Sequence, residues 1–196
     1  MKKIKKIIIG THNQGKFREI SYLLPKNIVK ISPKKLNLRS PKEIGKNFQD
    51  NSKIKAKYFS RKTNLICIAD DSGFLVDDLN GEPGIFSSRW AGKSGNFNLA
   101  IEKVYRKLKK KRKKRFFFAK FICCLTVYWP SGKFVHSAGF VRGKISEKKK
   151  GKNGFGYDPI FIPKGYKKTF GEMRPKFKMS IDHRFKAFKK LKKFFI

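Results

Sequence analysis

The sequence predicts an α/β fold, a mixed central sheet with flanking helices, and three observations carry that reading. Short β-branched runs alternate with helical patterns in the first part of the chain, a glycine turn joins the first run to the first helix, and two long β-rich runs follow one another later. Parallel βα units followed by a hairpin require a sheet of both polarities. The 196 residues, 39% of them hydrophobic, suffice for one domain or two closely joined lobes.

Taken in order, Ile4 to Ile9 reads as a buried strand, Lys16 to Leu24 as a helix, and Asn27 to Ser32 as a second strand ended by Pro33. A loop from Pro33 to Asn47 leads to a helical pattern over Phe48 to Phe59, with apolar residues at Phe48, Ile54, Tyr58 and Phe59. Leu65 to Ala69 is a short buried strand that delivers Asp70 and Asp71 at its C-terminal end, and Gly73, Gly81, Pro83 and Gly84 make the next segment a constrained loop. Asn98 to Leu108 resumes helical spacing and ends in basic residues suited to a helix C-terminus. Phe116 to Tyr128 and Lys133 to Val141 flank Trp129-Pro130-Ser131-Gly132 as a hairpin, and Ser180 to Phe195 closes the chain as an amphipathic helix with Phe185, Phe188, Leu191 and Phe195 on one stripe.

The turn Gly10-Thr11-His12-Asn13-Gln14-Gly15-Lys16 has the G-x-x-x-x-G-K spacing of a phosphate-cradling loop, so backbone N–H groups, a helix N-terminus and one ammonium converge on a polyphosphate. The next residue, Phe17, stands where such a loop needs Ser or Thr to hold Mg²⁺, so any metal is held elsewhere; an ordinary turn between strand and helix is the plainer alternative. The acids are few and gathered. Against 50 Lys plus Arg the chain has 13 Asp plus Glu, a formal charge of +37, yet Asp70, Asp71, Asp77 and Asp78 fall within nine residues. Their mutual repulsion favours a bound cation, and a Mg²⁺ site is the expectation. In an open α/β sheet the glycine turn and the acidic segment would share the carboxyl ends of neighbouring strands.

The positive charge attracts any polyanion and chooses among none, and a lysine- and phenylalanine-rich coding bias explains the runs Lys107 to Arg115, Lys144 to Lys152 and Lys186 to Lys193 as well as a nucleic-acid face does. Cys67, Cys123 and Cys124 sit in apolar runs without metal-ligand spacing and read as core thiols of a reducing compartment. Met1-Lys2-Lys3 begins like a secretory leader, but its apolar stretch stops at Ile9; no run approaches the roughly 18 apolar residues of a membrane span, and a cytoplasmic protein is expected.

Taken together the motifs resemble the Ham1-like inosine triphosphate pyrophosphatases, which act on non-standard purine nucleoside triphosphates. Thr11 to Lys16 is similar to the family's T-x-N-x-G-K segment, and Phe48 to Ala56 to its F-x-E-N-A-x-x-K-A helix. Ala69 to Asp77, with Gly81 to Arg89, is similar to A-D-D-S-G-L-x-V followed by G-x-P-G-I-Y-S-A-R. Gly154 to Phe161 matches G-F-G-Y-D-P-x-F, and Lys178 with Asp182-His183-Arg184 stands where the family has K-x-x-x-S-H-R. Asp50, Phe74 and Asp182 depart from the family's Glu, Leu and Ser, and Asp182 puts a carboxylate beside the His183-Arg184 pair.

The resemblance implies one such domain over residues 1–196, with two lobes around a nucleotide cleft. It implies hydrolysis of ITP, dITP and XTP to monophosphate and pyrophosphate, with Asp71 binding Mg²⁺ and accepting the proton of the attacking water, and with Glu43 completing the metal shell. Thr11, His12, Asn13, Gln14, Gly15 and Lys16 would hold the triphosphate and Ser72 would touch substrate. Phe155, Gly156, Tyr157 and Asp158 would form the base pocket, with Phe155 stacking on the purine, and Lys178, His183 and Arg184 would read the base. A homodimer is implied, with neither a membrane nor a dedicated nucleic-acid partner. Two other classes remain: an NTPase releasing the γ-phosphate, which the missing Ser/Thr disfavours, and a basic nucleic-acid-binding protein, which leaves the clustered acids unexplained. No nucleophilic Ser or Cys with a base partner is evident, Ser180 and His183 being more simply a cap and a base contact.

Overall fold

The computed structural model describes residues 4–111 and 116–195. The leader-like Met1–Lys3 and the end of the Lys107–Arg115 run lie outside the described residues. Its strands are β1 (Lys6–Ile9), β2 (Val29–Ile31), β3 (Cys67–Val76), β4 (Pro83–Gly84), β5 (Phe118–Tyr128), β6 (Phe134–Ile145) and β7 (Phe161–Pro163). The helices are α1 (Gln14–Leu23), α2 (Phe48–Thr63), α3 (Phe97–Lys109), α4 (Pro175–Ile181) and α5 (His183–Leu191). Strand order is β2-β1-β3-β5-β6-β7, with β4 on β3. The first pairings are parallel and those of β4 and β7 antiparallel, the mixed sheet the sequence predicts.

The chain forms two compact units. The first comprises the residues up to Asp71, Cys123–Gly139, and those from Arg184 onward. Here the two-residue period of the strands separates two helical layers. Ile7, Ile9 and Ile68 pack with Ile20 of α1 and with Ala187, Phe188 and Leu191 of α5, while Ile8, Cys67 and Ala69 pack with Ala56 and Phe59 of α2. Gly10 is dictated by this packing: a Cβ there would lie 2.9 Å from the Phe59 ring and 3.0 Å from both Ala69 and Cys67. Asn13 starts α1 by accepting the Lys16 N–H, and Asn47 starts α2 by accepting that of Asp50.

The second unit spans Ser72–Ile122 and Phe140–His183. Its core joins Phe74 and Val76 of β3, Ile101 and Val104 of α3, Phe121 of β5 and Phe161 of β7. All three cysteines are buried, as expected of core thiols. Among the described residues no helix is long and apolar enough to cross a membrane.

Two elements differ from expectation. The strand predicted to end at Ala69 continues through Asp70 and Asp71 to Val76, because both carboxylates find partners from the flanking helices and tertiary pairing overrides the low strand propensity of Asp. The closing helix is two helices, not one: Asp182 is extended and ends α4, and α5 starts at the following residue. Asp is favoured just ahead of a helix rather than inside one.

Candidate active site

Adjacent residues of a strand point to opposite faces, and Asp70 and Asp71 are thereby handed to different helical layers of the first unit. Asp70 is fully buried on the α1/α5 side. Its Oδ2 lies 3.2 Å from Lys16 Nζ and accepts from Nε and Nη2 of Arg184, each at 3.3 Å. The remaining arm of the Arg184 guanidinium donates to Glu19, one turn beyond Lys16 on α1. Because Gly10 N–H bonds to Ile68 O, the glycine turn leaves β1 beside this carboxylate, and the lysine of that turn meets the acidic strand.

Asp71 faces α2. Asn51 Nδ2 donates to its Oδ2 at 3.2 Å and Lys55 Nζ to its Oδ1 at 3.3 Å, two donors one helical turn apart. Lys55 also donates to Glu43 Oε1 at 2.6 Å, so the two carboxylates expected to share a metal share one ammonium. Burial pushes the Asp71 carboxyl above its ordinary range; Lys55 and Lys16 pull it down, and Glu43 and Asp70 push it up again. A raised carboxyl is a better proton acceptor near neutrality. For Lys55, burial acts to lower the pKa, but Asp71, Asp70 and Glu43 outweigh it and the ammonium is held above its ordinary value.

The expected turn residues are built into this frame. Thr11 Oγ1 accepts the Asn13 N–H, and Asn13 Oδ1 is spent on the cap. His12 bridges to the following loop, with Nε2 2.8 Å from Leu38 O and Nδ1 2.7 Å from the Ser40 hydroxyl. A carbonyl only accepts, so Nε2 carries the proton. Gln14 is exposed and Gly15 buried at the head of α1, and Phe17 packs against the apolar cluster.

The second unit holds the Gly-Phe-Gly-Tyr-Asp loop. Asp158 is its organiser: Oδ2 accepts the Phe155 N–H at 2.8 Å and Lys178 Nζ at 2.6 Å, both partners of the ion pair being almost fully buried. Gly154, at φ +75°, permits the wrap, since a Cβ would run into this carboxylate. Lys178 Nζ stands 4.9 Å from the Phe155 ring centroid. Phe155 and Gly156 are half-buried, whereas Tyr157 is core: its ring stacks on Phe74 at 4.8 Å and its hydroxyl donates to Ser87 O. His183 is buried and stacks on Phe121 at 4.9 Å, and Ser72 is half-buried in β3.

A model described as the Ham1 family matches residues 7–194. The chain belongs to the Ham1 family. Its Ham1 relatives include the dITP/XTP pyrophosphatase of Caulobacter vibrioides, 42% identical over 95% of this chain and 96% of the relative. That of Zymomonas mobilis is 40% identical over 95% and 90% respectively. Among solved structures, a HAM1 protein from Coxiella burnetii superposes with a TM-score of 0.86 at 32% identity, covering 97% of this chain and 98% of that one.

Within this Ham1 chain the four neighbouring acids of the sequence divide between the two units. Asp77 and Asp78 follow β3 in the second unit, Asp77 exposed, whereas the charge of Asp70 and Asp71 is met in the first unit by Lys16, Arg184 and Lys55. Among the described residues no group of three or more His, Cys, Asp and Glu side chains is arranged to hold a metal. Glu43 and Asp71 both turn an oxygen to the Lys55 ammonium, and hard carboxylate oxygens of this kind suit Mg²⁺. His183 belongs to the second unit, with Lys178, while Arg184 is bound to Asp70 and Glu19 in the first. Glu19 had no part in the sequence reading; Asn51 and Lys55 entered it within the Phe48 to Ala56 segment without a role of their own, and Asp70 with Asp71 as a candidate metal-binding acid of the acidic segment. The signal for Asn51 and Lys55 was present: two polar residues four apart share the helix face of Ala56 and Phe59.

Proposed function

We propose that this Ham1 protein hydrolyses non-standard purine nucleoside triphosphates, ITP, dITP and XTP, to the nucleoside monophosphate and pyrophosphate, and so clears deaminated purines from the cytoplasmic precursor pool. The observation that carries this reading is the division of labour between neighbouring carboxylates: Asp70 fixes Lys16 at the glycine turn, and Asp71 shares the Lys55 ammonium with Glu43.

In the proposed reaction a water oxygen attacks the α-phosphorus, the bond from that phosphorus to the bridging oxygen breaks, and pyrophosphate departs. Asp71, made more basic by burial, takes the proton of the attacking water, while Asn51 and Lys55 hold its carboxylate in one orientation. Lys16 and the N-terminus of α1 meet the negative charge of the phosphates. Glu43 and Asp71 are the residues that would hold Mg²⁺, which supplies charge neutralisation on the phosphate oxygens. On the base side, Phe155 supplies a partly exposed ring and Lys178 and His183 are the candidate readers of the 6-oxo group, with Asp158 setting the loop; Arg184 acts by positioning Asp70 and Lys16. A homodimer is part of the same reading, supported by the family resemblance.

Product analysis tests this directly. With ITP and Mg²⁺ the expected products are IMP and pyrophosphate, with ATP turned over far more slowly; orthophosphate as the first product would assign a γ-phosphatase instead. Asp71→Asn is expected to abolish turnover in a folded protein, and turnover retained in that variant would remove Asp71 as the base.

A further inference from the structure

The second unit carries a groove that the proposed hydrolysis does not use. Its origin is the two-residue period of β5 and β6. Ala119 and Phe121, and Val141 and Ile145, turn into the core, so the alternate residues turn outward. That outward set is Phe118 and Lys120 on one strand and Phe140, Arg142 and Lys144 on the other, two rings among three cations. Phe118 is 58% exposed and Phe140 53%.

Beside them, the turn after β7 adds Lys164, Tyr166 and Lys167. Without Phe140, these residues line a hollow of about 740 Å³ with the rings of Phe118 and Tyr166 and five cations, Lys120, Arg142, Lys144, Lys164 and Lys167, against one carboxylate, Asp77. A second hollow of about 760 Å³ shares Lys144 and Ile162 with the first and adds Lys109, Lys111, Lys148 and Lys150 against one carboxylate, Glu147, with Lys144 Nζ 4.6 Å from the Phe116 ring centroid. The surface is therefore a track, longer than a single small ligand requires.

We propose that this track binds single-stranded nucleic acid, its cations following the phosphates and Phe118 and Tyr166 stacking on unpaired bases. Rings set among cations are what a flexible polyanion with planar faces engages. A duplex hides its base faces and leaves the rings unused. A second copy of the chain would set cation against cation, which costs affinity, and a flat anionic bilayer does not enter a hollow.

The test is fluorescence anisotropy with the full chain and a labelled oligothymidylate of about 12 nucleotides, titrated between about 50 and 200 mM salt. Phe118→Ala/Tyr166→Ala leaves the charge untouched, and it is expected to weaken binding by roughly tenfold or more with little change in salt slope. Lys164→Glu/Lys167→Glu is expected to lower both affinity and slope, and the matched reversal Lys186→Glu/Lys189→Glu on α5 neither. ITP turnover unchanged in every variant verifies the fold, and Tyr166→Ala alone serves if the double alanine variant is unfolded. The proposal is overturned if affinity ignores the rings, if the α5 reversal costs as much as that at the groove, or if a duplex of equal length binds equally well. It is also overturned if sedimentation shows a dimer that Phe118→Ala/Tyr166→Ala dissociates while oligonucleotide affinity stays the same, since the face then belongs to a second copy.

Discussion

Replacing Asp70 and Asp71 one at a time by Asn separates fold from chemistry in two residues that touch in the chain. Asp70 has no solvent exposure and meets the Arg184 guanidinium twice and Lys16 once. Removing one partner of a buried ion pair costs about 3–5 kcal/mol. The amide oxygen of Asn and the Glu19 carboxylate offset part of this, which leaves a loss of about 2–4 kcal/mol. With a urea m-value of about 2 kcal/mol/M, the unfolding midpoint falls by about 1–2 M.

Asp71 behaves differently. Its carboxyl is raised on folding, so the folded state holds that proton more tightly than the unfolded chain does. Ionisation of Asp71 therefore costs stability as pH climbs from the ordinary Asp value of 3.8 through the raised one. Asp71→Asn removes that cost but also takes the strongest attraction from the buried Lys55 ammonium, so at neutral pH its midpoint falls less than that of Asp70→Asn while ITP turnover disappears. Urea titrations followed by circular dichroism, paired with pyrophosphate release, read both effects. A midpoint drop larger in Asp71→Asn than in Asp70→Asn would refute the assignment of the two faces.

Lys55→Met leaves Asp71 and the partly exposed Glu43 without their shared ammonium, and a loss of about 2–4 kcal/mol is expected after discounting for the solvent at Glu43. The Lys55 pKa is raised on folding, so its contribution is complete below pH 10.5 and lost as pH rises through the folded value. The gap between wild-type and variant midpoints should narrow at high pH, and a gap that widens contradicts the pairing. Lys16→Ala should weaken binding of a non-hydrolysable triphosphate by about 10–100-fold in calorimetry, the worth of one charged hydrogen bond; unchanged affinity would move the phosphate grip elsewhere. Gly154→Ala forces a Cβ into the Asp158 carboxylate at a left-handed backbone position, and overpacking of about 1–3 kcal/mol is expected to raise KM for ITP more than it lowers kcat. An unaltered KM would detach the Phe155 loop from substrate binding.

Much of this was legible in the residues. Periodicity located β1, α1, α2 and α3 to within a few positions, because apolar spacing is a local signal. The course of β3 through two aspartates was not, since the lysines and arginine that make it tolerable come from residues 16, 55 and 184. The same distance in sequence hid the roles of Glu19 and Arg184, which meet only when α1 and α5 pack on one face of the sheet. The four neighbouring acids likewise divide between the two units, Asp70 and Asp71 in the first and Asp77 and Asp78 in the second, a division that their closeness in sequence does not reveal. Tyr157, placed with the base-contacting loop by motif, is held in the core by Phe74 and Ser87. Motif recognition names a loop, and only packing says which of its rings faces outward.

Hydrolysis of ITP in ¹⁸O-labelled water bears most directly on the reaction assigned to Asp71. Attack at the α-phosphorus puts the label in IMP and leaves the released pyrophosphate unlabelled. Label in the pyrophosphate, or in orthophosphate released first, would contradict it.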